Sequence, residues 1–463
     1  MNLALSLLYA SERHPAAEAV VDGEERLTYR ELCGRAARLA GGLGDRGVEP
    51  GDRVAAVVKC RRETVELYWA TQWLGATFVP LSHRVSQADL DYCREDSGAK
   101  LFFEVDVDPA PMHGDEHSGA LDRNEREESL MLYTSGTTGR PKGVPRSHRA
   151  DRAAGLSQAL QQGYRFGDRT LGVMPLYHTM GIHSLIAMHL IGGCYVCLPE
   201  WDAEAALRLI ERECISSLYL APTLYYDLVH HPRVAEHDLS SIETIAYAGA
   251  AMTGALVEEC VRVFRPRLFV NHYGSTEIYT FSVHRDQAAK PGCAGRPALN
   301  GRLKLGENDE VLCHMSSDEA FTGYWHRPDA DEQAIRGGWY HTGDVGRLDE
   351  EGDLWVLGRL DDMIISGGEN VHPLEVEDVL ARHPKVAEVA VVGAADERLG
   401  QRVVAVVVAE GDLTAEELDE FCLASETLAR FKRPREYRFV ESLPKSPAGK
   451  VLRRLLREGV PTA

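Results

Sequence analysis

Short runs of consecutive apolar residues alternate along most of the chain with stretches in which apolar positions recur at helical spacing. Arg53-Val-Ala-Ala-Val-Val-Lys59 reads as a buried strand, and Glu63 to Leu74 as the helix after it. Ser217 to Ala221 and Thr244 to Ala248 repeat the pattern, each followed by a helical segment, and Leu268 to Asn271 adds a further short strand. Strands that alternate with helices in this way predict an α/β fold, with parallel sheets covered by helices on both faces. Met1 to Ala10 reads as an amphipathic first helix. It lacks the basic start of a secretory leader, and Glu12 and Arg13 follow it. The longest apolar stretch, Leu185 to Leu198, is interrupted by His189 and a glycine pair. It falls short of the roughly 20 residues that a membrane span needs.

The pattern changes near Gly358-Arg-Leu-Asp-Asp-Met363. Beyond it come strands over Val386 to Val392 and Arg402 to Val408. Thr414 and Glu417 then form a capping box that opens a helix to about Ser425. Residues 1–360 and 361–463 are therefore expected to form a large domain and a small α+β one.

Composition narrows the function. The 463 residues hold 51 Lys and Arg against 71 Asp and Glu, a net charge of −20. That balance disfavours nucleic acid or an anionic membrane as partner, while leaving room for a local basic pocket. Hydrophobic residues at 44% and charged residues at 26% describe a globular chain and exclude wholesale disorder. The 10 cysteines are scattered, which points to a reducing, cytoplasmic setting. Cys194 and Cys197 form a lone C-x-x-C inside an apolar run and read as core thiols sooner than as a zinc or redox pair.

The densest chemical signal is Tyr133-Thr-Ser-Gly-Thr-Thr-Gly-Arg-Pro-Lys-Gly143. Gly136, Gly139 and Gly143 let backbone approach a ligand closely. The hydroxyls of Thr134, Ser135, Thr137 and Thr138, with the cations Arg140 and Lys142, suit polyphosphate oxygens. It is not a Walker A loop, because Pro141 separates the two cations and Gly143 follows Lys142.

This segment resembles the phosphate loop of the AMP-forming adenylating enzymes: acyl-CoA synthetases, peptide-synthetase adenylation domains and firefly luciferase. Asn271-His-Tyr-Gly-Ser-Thr-Glu277, Gly338-Trp-Tyr-His-Thr-Gly-Asp344, Gly358 to Asn370 and Leu443-Pro-Lys-Ser-Pro-Ala-Gly-Lys450 match further motifs of that family in order, from about residue 25 to 457. Met174-Pro-Leu-Tyr-His178, Asp362 to Asn370 and Phe431-Lys-Arg-Pro434 are most similar to the 4-chlorobenzoate:CoA ligase branch. The resemblance implies a large N-terminal domain of stacked mixed and parallel sheets and a small, mobile C-terminal domain. It implies a two-step reaction. A carboxylate attacks the α-phosphorus of ATP to give acyl-adenylate and pyrophosphate, and then an acceptor, usually CoA, displaces AMP.

Carried over residue by residue, the resemblance makes Glu277 the carboxylate for Mg2+ and sets Thr276 at the α-phosphate. Asp344 and Arg359 would hold the ribose. Gly249, Ala250, Ala251, Asn271, Tyr273, Gly274 and Ser275 would frame the rest of the nucleotide. Lys450 would stabilise the pentacoordinate phosphorus as a point charge. His178, with Thr179 and Met180, would line the acid pocket and gate the acceptor. Gly367, Gly368, Leu399, Phe431, Arg433 and Arg435 would form the CoA surface, and Asp361 the hinge. Leu399 departs from the branch, which has a Trp there against the CoA adenine. No Asp near His178 offers itself to an ammonium group, which disfavours α-amino acids.

The remaining pocket positions, His272, Tyr279 and Thr280, offer hydrogen bonds that an alkyl chain cannot use, and leaving such groups unpaired costs about 1–3 kcal/mol each. A hydroxy- or amino-substituted aromatic acid is therefore expected. The expected cofactors are ATP and Mg2+, with CoA as co-substrate. Expected partners are a small carboxylic acid and CoA or a carrier-protein thiol, with a homodimer left open. Two other readings stay open: nitrite as acceptor in the diazotisation of an aryl amine, and a nucleotide-binding regulator without catalysis. Intact Glu277, Asp344 and Lys450 speak against the regulator.

Overall fold

In the computed structural model, which describes residues 1–104, 109, 112–119, 122–134, 140–445 and 451–459, the apolar runs become strands of four sheets. The largest has nine strands. Its centre is parallel, running from Leu268–Tyr273 through Thr244–Tyr247, Ser217–Leu220, Arg169–Gly172 and Cys194–Cys197 to Glu18–Asp22. Antiparallel strands close both edges: Glu25–Thr28 on one side, Ser282–His284 and Arg296–Pro297 on the other. A second sheet of five strands runs Leu101–Phe103, Arg53–Val58, Thr77–Ser82, Glu128–Thr134, Lys142–Ser147 and is parallel except for its last pair.

On the neighbouring strands Glu18–Asp22 and Cys194–Cys197, successive side chains divide between two cores. Val20, Tyr195 and Cys197 lie in one core with the helices Tyr29–Gly44 and Arg62–Leu74; Val21, Cys194 and Val196 lie in the other. Cys194 and Cys197 therefore face opposite ways. Burial pushes the Cys194 thiol up to about 12 and raises that of Cys197 well above its ordinary value, and both are unpaired core thiols. The helix Arg62–Leu74 is buried on nearly every side. The first helix, Ala4–Arg13, docks Leu3, Leu7 and Ala10 into the same core.

A third, antiparallel sheet ends with Leu354–Arg359 paired against Trp339–Leu348. After a single 3-10 turn, Leu360–Asp362, the next strand, Ile364–Ser366, already belongs to the C-terminal sheet. That sheet is built on the hairpin Val386–Asp396 and Gly400–Ala409, which runs beyond the predicted strand ends, and packs against the helices Pro373–Leu380 and Ala415–Ala424. The predicted capping box is present: Thr414 accepts from the Glu417 N–H, and the Glu417 carboxylate from the Thr414 N–H. Polar contacts join the C-terminal sheet's surroundings to the larger unit, including the Gly254 N–H donating to Asp378 at 3.0 Å. No described helix is long and apolar enough to cross a membrane.

Candidate active site

The motif residues gather where the parallel strands of the large sheet end, the edge at which open α/β sheets bind ligands. Leu268–Tyr273 leads into the loop Gly274 to Glu277; Thr244–Tyr247 into Gly249 to Ala251; Arg169–Gly172 into the segment that starts the helix Thr179–Ile191. Gly274 has to be glycine. An added Cβ would stand 1.8 Å from the Tyr279 carbonyl oxygen, so the loop turns back on its own strand only without a side chain. Within the loop, Ser275 Oγ accepts from the N–H of Glu277 at 3.2 Å and of Ile278 at 3.4 Å.

Glu277 is the centre of one cluster. Its carboxylate is buried at 7% exposure, and Oε1 accepts from the Tyr324 hydroxyl at 2.6 Å. Burial, with the Glu277 charge beside it, keeps the Tyr324 phenol protonated. The face of the Tyr324 ring carries the Lys142 ammonium, 4.2 Å from its centroid. Lys142 opens the strand Lys142–Ser147, and its neighbour Gly143 accepts the N–H of Trp325 at 2.9 Å, which locks the two segments together. Among the described residues Glu277 makes no ion pair. A buried carboxylate in that position suits a cation, and the oxygen donors that Glu277 offers fit Mg2+.

A second cluster surrounds Asp344. Strand register sets Asp344 directly opposite Arg359, and Arg359 Nε lies 3.0 Å from Oδ1. Oδ2 accepts from the Tyr273 hydroxyl at 2.5 Å. Arg359 also donates to the Thr342 carbonyl at 2.7 Å. One carboxylate is thereby held from two sides while its own strand stays half-buried. Asn271 donates its amide to the Cys293 carbonyl at 2.9 Å, spending that donor on the loop behind it.

His178 caps the start of the helix Thr179–Ile191 without a side-chain cap bond. The residue is half-buried, and burial lowers its pKa to about 4, so it is a neutral imidazole. Met180 reaches the loop Gly249 to Ala251: a Cβ on Gly249, whose φ of +83° favours glycine, would lie 3.6 Å from the Met180 sulfur. His272 and Tyr279 are buried deeper than a free pocket lining. The Tyr279 hydroxyl donates to Gln158 Oε1 at 2.7 Å and lies 3.4 Å from the Tyr219 hydroxyl. The His272 nitrogens meet Gln162 Nε2 at 3.4 Å and the Tyr279 carbonyl at 3.3 Å. Their polar atoms are thus engaged inside the protein, which the sequence could not show. Thr280 is the exception: its buried Oγ1 has no partner among the described residues.

In the C-terminal unit the Gly367 N–H donates to the Leu399 carbonyl at 2.8 Å, bringing Gly367, Gly368 and Leu399 to one corner. Phe431 is exposed at 42% and Arg435 is exposed, while Arg433 pairs with Asp419 at 3.3 Å. Asp361 is exposed in the 3-10 turn. Ser135, Gly136, Thr137, Thr138, Gly139 and Lys450 lie outside the described residues. A cavity of about 240 Å³ opens beside Tyr177, lined by Lys59, His83 and Arg84 of the larger unit and by Lys445 of the smaller. These cavity residues, and Tyr324, were missed in the sequence. Tyr324 stands among aromatic residues that read as core, and Lys59 and Arg84 sit singly at strand ends.

Comparison with known proteins identifies the family. The family model for AMP-binding enzymes matches residues 8–317, and that for the AMP-binding enzyme C-terminal domain matches residues 375–450. A 4-chlorobenzoate–CoA ligase from an Arthrobacter species is 34% identical over 99% of this chain and 95% of its own. The crystal structure of the anthranilate CoA ligase AuaEII in complex with anthranoyl-AMP superposes with a TM-score of 0.92 at 26% identity, over 99% of this chain and 97% of that one. The Bacillus subtilis O-succinylbenzoate coenzyme A synthetase, solved with ATP and a magnesium ion, gives 0.86 at 28% identity over 97% and 98%. With family models matched over most of its length and relatives aligned end to end, the chain belongs to the AMP-binding enzyme family of AMP-forming acid ligases.

Proposed function

We propose that the protein is an ATP-dependent aryl acid–CoA ligase whose substrate is a hydroxy- or amino-substituted aromatic acid. The observation that carries the reading is the pairing of two carboxylate clusters at one sheet edge: Glu277 with Tyr324 and Lys142, and Asp344 with Tyr273 and Arg359. Asp344, held as an acceptor by its two partners, takes the ribose hydroxyls. Glu277 would hold Mg2+, which neutralises phosphate charge as the acid oxygen attacks the α-phosphorus and pyrophosphate leaves. Lys142 offers its ammonium to the departing phosphates, and Thr276 its hydroxyl to the α-phosphate. Lys450 supplies a further positive charge to the pentacoordinate phosphorus. Neutral His178 packs against the acid carboxylate without competing for its charge.

In the second step the CoA thiol attacks the acyl carbon and AMP departs with the bonding pair. The cavity lined by Lys59, His83 and Arg84 suits an anionic acceptor arriving between the two units, with Phe431 and Arg435 on the C-terminal side. The domain boundary is placed near residue 360, and Asp361 is the hinge about which the smaller unit turns between steps. The aromatic preference is supported by the unpartnered Thr280 hydroxyl and by likeness to an anthranilate ligase. Ten unpaired cysteines suit a cytoplasmic setting.

Pyrophosphate release measured over a panel of benzoates, aminobenzoates, hydroxycinnamates and fatty acids tests the acid. AMP release on adding CoA, against a carrier protein or nitrite with an aminoaryl acid, tests the acceptor. Preference for fatty acids would overturn the first assignment, and aryl-adenylate that never releases AMP to millimolar CoA would overturn the second.

A further inference from the structure

An ionic chain lies buried beneath both walls of the site. Arg146, in the strand Lys142–Ser147, and Asp151, in the helix His148–Gln161, are fully buried and pair through Nε and Oδ1 at 2.7 Å. Asp151 Oδ2 accepts from Ser129 Oγ at 2.5 Å, and Oδ1 lies 3.0 Å from His183 Nε2. Burial opposes the charge on Asp151, yet Arg146 and His183 bring its carboxyl down to about 2.

The two ends of this chain reach different parts of the site. Arg146 Nη1 donates to the Thr276 carbonyl at 2.9 Å. The N–H of the same peptide, that of Glu277, donates to Ser275 Oγ. A peptide is planar, so fixing its carbonyl and its N–H fixes the plane from which both the Thr276 and the Glu277 side chains set out. At the other end, His183 Nδ1 lies 2.9 Å from the Thr179 carbonyl in the first turn of the helix that carries His178, and the His183 ring stacks on Tyr279 with centroids 4.3 Å apart.

Fold stability alone does not account for this arrangement. Well-packed apolar residues of similar volume hold a core as well as a buried ion pair does, or better. An apolar pair, however, has no donor for the Thr276 carbonyl. We propose that Asp151, with Arg146 and His183, forms a positioning network that clamps the Thr276–Glu277 peptide against the start of the acid-pocket helix and so sets the geometry of adenylation. The inference rests on the assignment of Thr276 and Glu277 to phosphate and Mg2+ made above. None of the three residues touches substrate in this role; they act through Thr276, Glu277 and Thr179.

The test is the full-length double variant Arg146→Met with Asp151→Leu, which removes both charges together, so that neither is left buried without its counter-charge, and takes the donor away from the Thr276 carbonyl. Three quantities are read: thermal midpoint, ATP–pyrophosphate exchange across a Mg2+ series, and thioester formation from synthetic acyl-adenylate and CoA. The expected result is a folded protein whose exchange falls roughly 10- to 100-fold, the scale of a sub-ångström to 1 Å displacement at a reacting centre. The Mg2+ concentration for half-maximal exchange should rise, and thioester formation should fall much less. A folded double variant with wild-type exchange and an unchanged Mg2+ midpoint overturns the proposal. If the double variant does not fold, Arg146→Lys replaces it. Lysine keeps the charge beside Asp151 but lacks the fork that reaches Thr276, so the same Mg2+ shift is expected, and its absence is equally decisive against. Glu277→Gln, run alongside, separates the layers. If it leaves exchange intact, the Mg2+ assignment fails and carries the network down with it; if it lowers exchange while the network variants do not, the network alone is refuted.

Discussion

Replacing Tyr324 by Phe removes one atom from the cluster at Glu277 and little else. The ring stays, so Lys142 keeps its aromatic face and the edge contact with Phe321, at 5.0 Å between centroids, is retained. What goes is a 2.6 Å hydrogen bond to a buried carboxylate. Hydrogen bonds to charged groups contribute about 1.5–3 kcal/mol. At 1.4 kcal/mol per tenfold, that predicts a loss of roughly 10- to 150-fold in kcat/KM for adenylation, if the bond orients Glu277 in the transition state. The loss belongs to the first half-reaction, since Mg2+ accompanies ATP and not the thiol. ATP–pyrophosphate exchange at limiting and at saturating Mg2+, set beside thioester formation from a preformed adenylate, measures it. Part of the rate should return at high Mg2+. Exchange within twofold of wild type at limiting Mg2+ would mean that Tyr324 only packs the core, and the reasoning from its geometry would fall.

The other expectations concern stability, acceptor and hinge. His189 accepts from Trp69 Nε1 at 2.8 Å and donates to the Ala19 carbonyl at 3.0 Å, an arrangement that requires a neutral ring, and burial lowers its pKa from 6.5 to about 4. The unfolded chain therefore binds a proton between those values that the folded one refuses. The contribution of His189 is complete above pH 6.5 and falls toward pH 4 by about 1.4 kcal/mol per unit, beside those of other buried histidines such as His148 and His272; urea midpoints across that range should fall, with a shallower slope in His189→Gln. Leu399→Trp should lower the KM for CoA about fivefold, by an aromatic stack of about 1 kcal/mol, in steady-state kinetics at fixed acid and ATP. Asp361→Pro fixes φ in the turn Leu360–Asp362 and should spare pyrophosphate exchange while slowing AMP release to CoA; equal loss of both would make the turn merely structural.

Much of the fold was legible because buried parallel strands are written as local apolar runs. Arg53–Val58, Ser217–Leu220 and Thr244–Tyr247 each lie within a residue of where the pattern sets them. The order of the strands was not legible. Glu18–Asp22 lies between Cys194–Cys197 and Glu25–Thr28, and pairing across such a separation leaves no mark on either segment. The same contrast holds in the site. Glu277 and Asp344 sit in compact motifs, whereas Tyr324 reaches Glu277 from a loop with no motif of its own. His272 and Tyr279 mislead for a related reason. A polar side chain announces in sequence that it needs a partner, but not that Gln162 and Gln158 have already met the need from a distant part of the chain.

The strand order also dictates a timetable for synthesis. The sheet that runs from Leu101–Phe103 to Lys142–Ser147 draws all its strands from one stretch, Arg53 to Ser147, and closes as soon as that stretch has left the ribosome. The hairpin of Glu18–Asp22 and Glu25–Thr28 emerges earlier, yet its inner strand gains its second neighbour only when Cys194–Cys197 appears, so that one edge stays unpaired through about half of the making of the larger domain. An unpaired apolar edge held open that long is where nascent chains associate wrongly. Chaperone capture during translation should map to residues 18–28.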